Sequence, residues 1–316
     1  MNHPNFFIVG EPKCWTSIIH DYLSNHPDIF MSEPKEPHYF CTDLHQESDN
    51  FHWKQFDISS YRNKENYLNL FKDANNHKIA GESSTNYSYS ENAAENIYNF
   101  NKDAKILFCF REPISFLESW HAQLSKKLIE DIQDFKKALE AEPQRKNHQN
   151  IPSLCPNPSL LFYSEMVKFS THLKRFLEHF PTEQIKIVFY EDFKENNQKT
   201  IDEITNFLEI DKISITKKET NTRSALKYPG IYSFFYNNKT KLIARKVFPY
   251  FLRKKVSNLI RNLTTTKESQ PKMDENTKNN LKKQYRQEVT NLNNLLHKYH
   301  LTNKDLEEFW WYKEIN

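Results

Sequence analysis

The chain has 316 residues and a formal net charge of +3, with 37% hydrophobic and 27% charged residues. This composition is typical of a globular protein, and so small a net charge does not by itself indicate a nucleic-acid-binding protein. No apolar run approaches the ~20 residues that span a bilayer. The first residues lack the basic, apolar and small-residue arrangement of a signal peptide. We therefore expect no membrane span and no secretion signal.

The cysteines give a second indication about the compartment. Cys14, Cys41, Cys109 and Cys155 form no CxxC pair, and Cys109 lies inside an apolar run, as a buried small hydrophobic residue does. These spacings predict neither a disulfide framework nor a zinc site. We expect a reduced, cytoplasmic protein without a disulfide framework or a zinc site.

Short apolar runs and helical periodicity predict the secondary structure. Four runs predict buried strands, over residues 6–9, 78–80, 105–110 and 185–190. Apolar residues at three- and four-residue spacing predict helices over residues 18–23, 114–128, 166–177, 200–208 and 273–311. Because strands alternate with helices, we predict an α/β fold. The predicted architecture is a three-layer domain. Its central parallel sheet is flanked by helices, and a helical C-terminal region covers residues 276–312.

Two segments are less regular. Residues 141–160 are polar and rich in proline, and we predict a lid or loop insertion over residues 130–160. Residues 220–267 contain eleven Lys or Arg and no Asp or Glu. This stretch belongs to a longer basic, variable segment, residues 220–275. A run of charge is usually a solvated face, but these residues could also attract an anionic acceptor, a membrane surface or a partner. We assign all segments to one domain, 1–316.

Glycine marks the predicted site. The chain has only three glycines, against an average usage near ~7%. Gly10 and Gly81 each follow an apolar run, where glycine supplies a positive φ or lets a ligand approach the backbone. Ligands of parallel sheets bind beyond the carboxyl ends of the strands. Arg111 also follows a predicted strand, so these strand ends are where we expect the site.

The stretch GEPKCWTS, residues 10–17, lies between the first predicted strand and the first predicted helix. A turn with a lysine and hydroxyl residues that opens a helix is typical of phosphate-binding loops, because N–H groups and the positive helix end face the anion. The stretch is not a Walker A motif, which ends in Gly-Lys-Ser/Thr. Lys13 comes three residues after Gly10 and three before Thr16. We therefore do not expect ATP hydrolysis by that machinery.

The loop resembles the 5′-phosphosulfate-binding loop of sulfotransferases that use 3′-phosphoadenosine 5′-phosphosulfate (PAPS), which usually reads Gly-x-Pro-Lys-x-Gly-Thr-Thr or Ser. Four later segments are similar to glycan-type and bacterial members: SNHPDIFMSEPKEPHYF (24–40), GESSTNY (81–87), KILFCFREPISFLESWHAQ (105–123) and IKIVFYEDF (185–193). Several ordered motifs are more specific than any single one. The resemblance implies a P-loop-like fold with five parallel strands. It also implies a PAPS-dependent sulfotransferase that needs no metal.

The resemblance assigns roles within the first loop. Lys13 stabilises the negative charge that develops on the leaving oxygen, an interaction that is stronger in the transition state than in the ground state. Cys14 and Trp15 belong to the same donor-binding loop. Thr16 and Ser17 supply hydroxyl donors to the 5′-phosphate.

The remaining nucleotide contacts are also implied by the resemblance. Arg111 and Ser119 hold the 3′-phosphate, with Arg111 in the two-pronged geometry that only arginine offers. Asn221 and Arg223 lie in the region where the family brings late-chain residues back onto the 3′-phosphate and adenine. They are therefore candidates for those two contacts.

Two residues are candidates for the general base. Glu36 in KEPHYF matches the position of the base in the glycan-type members, and His38 is the second candidate. A residue beside a proline is also typical of a solvated turn, and a histidine is often structural, so the choice stays open. Glu82 is either a site residue or a carboxylate that orders the neighbouring loop.

Trp15 departs from the family pattern, because it stands where the loop has glycine. A tryptophan with a positive φ is strained, so we expect a negative φ here, with the indole pointing away from the phosphate. The ring could then line the acceptor pocket or cover the nucleotide.

The acceptor is expected to be a small molecule or a saccharide, sulfonated on a hydroxyl or on an amine or carbamoyl nitrogen, and no nucleic acid is expected. Two alternatives stay open. One is another P-loop enzyme, such as a small-molecule kinase. The other is a non-enzymatic anion- or nucleic-acid-binding protein that uses residues 220–267.

Overall fold

The computed structural model describes five stretches of the chain, residues 3–52, 61–215, 225–226, 265–266 and 273–313. The chain divides into two compact units. The first consists of Met1–Leu117, Tyr163–Lys217 and Lys278–Asn316, and the second of Glu118–Phe162 and Lys218–Thr277. The assignment of residues 1–316 to one domain stays a prediction.

The first unit contains a five-stranded, fully parallel sheet. Its strands are β1 (Phe6–Gly10), β2 (Ile29–Met31), β3 (Ile79–Ser83), β4 (Lys105–Phe110) and β5 (Ile185–Phe189), in the spatial order β2-β3-β1-β4-β5. The predicted α/β fold with a central parallel sheet and flanking helices is confirmed. β2 was missed because three residues are too few to show a strand pattern.

β1 lies at the centre of the sheet and is buried along its whole length. Phe6 is in register with Gly81 of β3 on one side and with Lys105 of β4 on the other. The chain therefore leaves β1 toward one edge and returns later to its other side. Such a reversal between neighbouring strands opens a crevice at their carboxyl ends, where ligands of α/β proteins bind. The loops after β1 and β4 flank that crevice.

The sequence pattern placed Gly81 just after a strand, but in the structure Gly81 lies inside β3. A Cβ atom there would lie 2.7 Å from Met31 Sδ and 2.9 Å from Phe6 Cδ1. Because Gly81 has no side chain, Met31 of β2 and Phe6 of β1 can pack directly against its backbone. β3 continues through the polar residues Glu82 and Ser83, which the apolar pattern did not include.

The described residues also form helices, distributed over both units. In chain order they are α1 (Thr16–Leu23), α2 (Thr42–His52), α3 (Lys64–Asn69), α4 (Ala93–Phe100), α5 (Pro113–Lys126), α6 (Phe135–Glu140), α7 (Glu142–Lys146), α8 (Tyr163–Met166), α9 (Phe169–Leu177), α10 (Tyr190–Glu195), α11 (Asn197–Phe207), α12 (Glu275–Lys298) and α13 (Leu306–Phe309). The helical C-terminal region is confirmed. Two predicted helices are interrupted.

Residues 166–177 form two helices, because Lys168 leaves helical geometry at φ −75° and ψ 54°. α9 then begins with its first turn capped from α12, since the Glu288 carboxylate accepts from Ser170 N (2.6 Å) and Ser170 Oγ (3.0 Å). The C-terminal pattern also divides, with Asp305 capping α13. Both breaks occur where a carboxylate satisfies the open N–H groups of a new helix.

The second unit has its own small core. Within it, Trp120 Nε1 donates to the Leu160 carbonyl at 3.0 Å, and Arg145 forms a fully buried, two-pronged ion pair with Glu130. Residues 130–160 also contain the short helices α6 and α7, which the proline-rich composition did not indicate. The role of this segment as a lid stays a prediction. Ala225–Leu226 and Thr265–Thr266 form an antiparallel pair, β6 and β7.

Candidate functional site

The first loop begins at Gly10, whose conformation excludes other residues. Its φ is 153°, and a Cβ atom would lie 2.7 Å from Ser88 Cβ, so a side chain would be strained and would clash. The next residue, Glu11, is fully buried, and its Oε1 lies 3.0 Å from His172 Nδ1. These contacts fix the point at which the chain leaves β1.

Trp15 closes the loop as the N-cap of α1, and its φ is 65°. The expectation of a negative φ is therefore wrong. The Trp15 carbonyl accepts from Ile18 N (2.9 Å) and Ile19 N (3.0 Å), and the loop enters α1 through this left-handed conformation. The indole packs edge-on against Tyr190 and Phe193, with ring centroids 5.4 Å and 5.1 Å apart. This packing offsets the strain of a left-handed tryptophan.

The hydroxyls of Thr16 and Ser17 lie in the first turn of α1, where N–H groups have no acceptor inside the helix. Lys35 Nζ donates to both hydroxyls, to Thr16 Oγ1 at 3.1 Å and to Ser17 Oγ at 2.8 Å. Lys35 is a residue that the sequence analysis did not single out. It brings a cation to the loop from the KEPHYF segment.

Lys13 and Cys14 form the middle of the loop. Lys13 has a left-handed φ of 66°, and its carbonyl accepts from Arg111 at 3.2 Å. Cys14 is buried, and burial raises the pKa of its thiol well above the ordinary value. The thiol therefore stays protonated near neutral pH. Cys14 contributes its backbone to the loop, not a nucleophile.

Arg111 follows β4 and is held from three directions. Its Nε donates to Ser115 Oγ at 2.8 Å, and its Nη1 donates to the Lys13 carbonyl at 3.2 Å. The guanidinium carbon lies 4.0 Å from the centre of the Tyr190 ring, a cation–π contact. Arg111 is 6% exposed. The structure thus brings the first loop and the predicted phosphate clamp into direct contact.

Carboxylates and C-terminal aromatic residues hold the two loops behind Arg111. Glu112 caps α5 by accepting from Ser115 N at 2.7 Å, and its other oxygen accepts from the Tyr312 hydroxyl at 2.9 Å. Glu191, in the first turn of α10 directly after β5, accepts from Glu112 N (3.1 Å) and Trp310 Nε1 (3.2 Å). Burial raises the pKa of Glu191 above its ordinary value. The C-terminal residues therefore lock the ends of β4 and β5 together.

The candidate bases lie on the segment that carries Lys35. Glu36 is 40% exposed at its side chain, and its Oε1 lies 3.7 Å from Lys35 Nζ and 3.4 Å from Thr85 Oγ1. His38 is 8% exposed, with Nε2 3.9 Å from Glu36 Oε2. Of the two, Glu36 is the side chain that solvent reaches more easily. A general base needs such access to the acceptor.

Glu82 supports this segment from inside the protein. It is fully buried and accepts from the hydroxyls of Tyr67 (2.8 Å), Tyr87 (2.8 Å) and Ser84 (2.6 Å). Ser84 Oγ in turn accepts from His38 N at 3.0 Å. Burial raises the pKa of Glu82 to about 7. Of the two roles considered for Glu82, its position fits the ordering of a neighbouring loop.

Three of the predicted nucleotide contacts stay predictions. Ser119 is half-buried on α5 in the second unit, and its role rests on the resemblance alone. Asn221 and Arg223, with most of the basic segment 220–267, lie outside the described residues. Within the described ranges, no three His, Cys, Asp or Glu side chains could hold a metal ion. None of the helices described is long and apolar enough to cross a membrane.

Two residues of the cluster were missed by sequence reasoning, Lys35 and Tyr190. KEPHYF was examined for a base, and its lysine was not considered. Tyr190 ends the predicted strand 185–190 and was counted as an apolar strand residue. A cation directly before the candidate base is the one signal that could have drawn attention to Lys35.

Comparisons with known protein sequences agree on one family. The family model described as "Sulfotransferase domain" matches residues 3–293. Carbohydrate sulfotransferase 15 of Rattus norvegicus is 26% identical over 272 residues, covering 70% of this chain and 46% of the relative. Heparan sulfate glucosamine 3-O-sulfotransferase 5 of Mus musculus is 26% identical over 192 residues, covering 58% and 47%. The chain spans about half the length of these curated relatives.

A comparison with solved structures supports the same architecture. The crystal structure of a sulfotransferase from Alicyclobacillus acidocaldarius matches with a TM-score of 0.66 and 22% identity, covering 94% of this chain and 97% of that one. At this level of identity the likeness shows the fold. It agrees with the five-stranded, P-loop-like architecture predicted from the sequence.

Proposed function

The chain belongs to the sulfotransferase domain family, and on that premise we propose that it transfers a sulfonyl group from PAPS to a hydroxyl of an acceptor. The observation that carries the proposal is the direct contact between the first loop and Arg111, through the Lys13 carbonyl at 3.2 Å. A loop at a helix N-terminus and a buried arginine beside it supply two anion-binding positions at one crevice. PAPS carries two such anionic groups.

The residues present fit this co-substrate chemically. Thr16 and Ser17 offer hydroxyls at the first turn of α1, and Lys35 and Arg111 offer cations. Glu112, the carboxylate next to Arg111 in the chain, accepts hydrogen bonds from Ser115 N and from the Tyr312 hydroxyl. A phosphosulfate and a 3′-phosphate are therefore electrostatically favoured in this crevice.

The chain's own residues would divide the reaction as follows. PAPS supplies an activated sulfonyl group with a phosphate leaving group. The Thr16 and Ser17 hydroxyls and Lys13 would hold the 5′ end, and Arg111 would hold the 3′-phosphate, with Ser119 as a further contact. Glu36 would take the proton of the acceptor hydroxyl, with His38 as the alternative base. No step needs a metal.

The proposed acceptor is a saccharide hydroxyl. The curated relatives are named a carbohydrate sulfotransferase and a heparan sulfate glucosamine 3-O-sulfotransferase, and those names support a saccharide. A hydroxylated small molecule, such as a specialised metabolite, is the second acceptor class to screen. The partial exposure of Glu36 is compatible with both.

The proposal is tested by incubating the full chain with PAPS and a panel of saccharides and small hydroxylated compounds. The expected result is release of 3′-phosphoadenosine 5′-phosphate (PAP) that depends on an acceptor and is abolished in Lys13→Ala. Lys78→Ala is the matched control, because Lys78 is exposed and paired with Asp28. A magnesium-dependent turnover of ATP with no PAP release would instead support the kinase alternative.

A further inference from the structure

One ammonium group lies between the first loop and the candidate base. Lys35 Nζ is 2.8 Å from Ser17 Oγ, 3.1 Å from Thr16 Oγ1 and 3.7 Å from Glu36 Oε1. An ammonium has three N–H donors, and here its neighbours are two loop hydroxyls and one carboxylate. The same cation therefore touches both functional halves of the site.

The surroundings of Lys35 strengthen its charge interactions. The side chain is 19% exposed, and burial lowers the pKa of its ammonium, while the charges of Glu36 and Asp21 oppose this shift. Burial and the Lys35 charge lower the pKa of His20 to about 4, so His20 is neutral near neutral pH. The Cys109 thiol, whose pKa burial raises, is also neutral. An added anion would meet an ammonium that water screens poorly.

The hydroxyls of Thr16 and Ser17 can serve Lys35 and an anion at the same time. A hydroxyl has one donor hydrogen and two acceptor lone pairs. Because both oxygens accept from Lys35 Nζ, their hydrogens must point elsewhere. A donor that itself accepts a charged hydrogen bond is polarised and becomes a stronger donor. Lys35 thus prepares both hydroxyls to donate to an anion.

We propose that Lys35 is a positioning residue, whose ammonium polarises the Thr16 and Ser17 hydroxyls that bind the 5′ end of the sulfonyl donor and pairs with the Glu36 carboxylate. This proposal rests on the proposed function. In the transfer step an S–O bond forms between the acceptor oxygen and sulfur, and the bond between sulfur and the bridging oxygen breaks. The electron pair stays on that oxygen as part of the phosphate of PAP. The acceptor proton passes to Glu36.

Lys35 would balance charge on both sides of this step. Before transfer its ammonium neutralises the Glu36 carboxylate. As Glu36 becomes protonated, negative charge increases on the leaving oxygen, and the ammonium remains beside the loop that holds it. An interaction that strengthens during the step lowers the barrier.

Calorimetric titration of the full chain tests the proposal with two nucleotides. PAP carries the 5′-phosphate, and adenosine 3′-phosphate lacks it. In Lys35→Ala we expect the affinity for PAP to fall about 10- to 100-fold, the range for losing a charged hydrogen bond. The affinity for adenosine 3′-phosphate should change less than about twofold. Lys78→Ala should bind both ligands as wild type does.

Two outcomes overturn the assignment to Lys35. One is an unchanged PAP affinity in Lys35→Ala, and the other is an equal loss for both nucleotides, which would indicate a general structural role. Lys35→Gln, with a thermal unfolding curve, replaces the alanine variant if that variant unfolds. Lys35→Arg should recover part of the PAP affinity.

Wild-type binding separates this proposal from the proposed function. If wild type prefers PAP over AMP and Lys35→Ala does too with the same affinity, only the role of Lys35 is wrong. If wild type shows no preference for PAP, the proposed function fails and the role of Lys35 fails with it.

Discussion

The two sides of the candidate site differ in how tightly their key side chains are held. Arg111 is 6% exposed and contacts Ser115 Oγ at 2.8 Å, the Lys13 carbonyl at 3.2 Å and the Tyr190 ring at 4.0 Å. The Glu36 side chain is 40% exposed, and its contacts to Thr85, Lys35 and His38 lie at 3.4, 3.7 and 3.9 Å. The side of Arg111, which we propose binds the donor nucleotide (the donor side), is rigid, and the side of Glu36, which we propose holds the general base (the base side), is looser.

The difference fits the two ligands that we propose for this site. A side chain that is already fixed loses little entropy when its ligand binds, so Arg111 suits one invariant donor. The donor side is further braced by Glu112 and Glu191, which bind Tyr312 and Trp310. Glu36 can adjust to the acceptor. Its segment is positioned by Ser84, whose hydroxyl accepts from His38 N and donates to Glu82.

The largest expected effect separates the two sides directly. In Glu36→Gln the turnover rate should fall about 10²- to 10⁴-fold, because the acceptor loses its general base. PAP affinity should stay close to that of wild type, measured by calorimetry. His38→Gln is the matched control and should retain most of the turnover. If His38→Gln loses more turnover than Glu36→Gln, the base has been assigned to the wrong residue.

The support below the base side can be tested through the pH dependence of stability. The pKa of Glu82 is about 7 in the folded protein, against an ordinary 4.5. Between these values Glu82 binds more protons in the folded protein than in the unfolded chain, so its contribution to stability is fully present below pH 4.5 and is lost as pH rises to 7. The decrease due to Glu82 amounts to about 3 kcal/mol.

Glu82→Gln should remove this contribution, because the amide does not titrate. Urea unfolding at several pH values measures the difference in slope from wild type. Glu209→Gln is the control, since Glu209 is exposed and its pKa is lowered by Lys105, which places its contribution below pH 4.5. If the free energy of unfolding changes with pH equally in wild type and Glu82→Gln, burial does not raise the pKa of Glu82 and this prediction is wrong.

The donor side should respond to loss of its clamp. In Arg111→Ala the affinity for PAP should fall about 10- to 100-fold, because a charged hydrogen bond contributes about 1.5–3 kcal/mol. The affinity for AMP, which lacks the 3′-phosphate, should hardly change. Arg62→Ala, which removes a cation paired with Asp49, is the control. An equal loss for both nucleotides would mean that Arg111 only maintains the loop.

The smallest effect is expected for the residue that departs from the family pattern. Trp15→Gly keeps the left-handed backbone at φ 65° without strain, and the loop N–H donors do not depend on the indole. PAP affinity should therefore change less than about threefold, well below the effect of one lost hydrogen bond to a charge. A loss as large as that of Arg111→Ala would show that the indole itself covers the nucleotide.

Much of the sheet could be predicted because parallel strands that are buried on both faces consist of continuous apolar residues. β1, β4 and β5 were found in this way. β2 has three residues and gave no pattern, and β3 ends in Glu82 and Ser83, polar residues in a buried strand. Glu82 is tolerated there because Tyr67 and Tyr87 donate to it, and the contact from Tyr67 on α3 is not part of any local pattern.

The site was predictable only where a motif is contiguous. GEPKCWTS gave the loop, and the strand before Arg111 gave the clamp. The left-handed φ of Trp15 depends on Tyr190 and Phe193, which follow it by 175 residues or more. The proximity of Lys35 to Thr16 and Ser17 likewise arises when the chain folds back. Such tertiary contacts have no signature in the local sequence.

The most direct test of the account is calorimetric titration of the wild-type chain with PAP, with AMP as the comparison ligand. We predict that PAP binds at least about tenfold more tightly than AMP, because the 3′-phosphate adds charged hydrogen bonds to Arg111, which is already held in place. Equal affinities for PAP and AMP would contradict the account, because Arg111 and the first loop would then not form a site for a 3′-phosphorylated nucleotide.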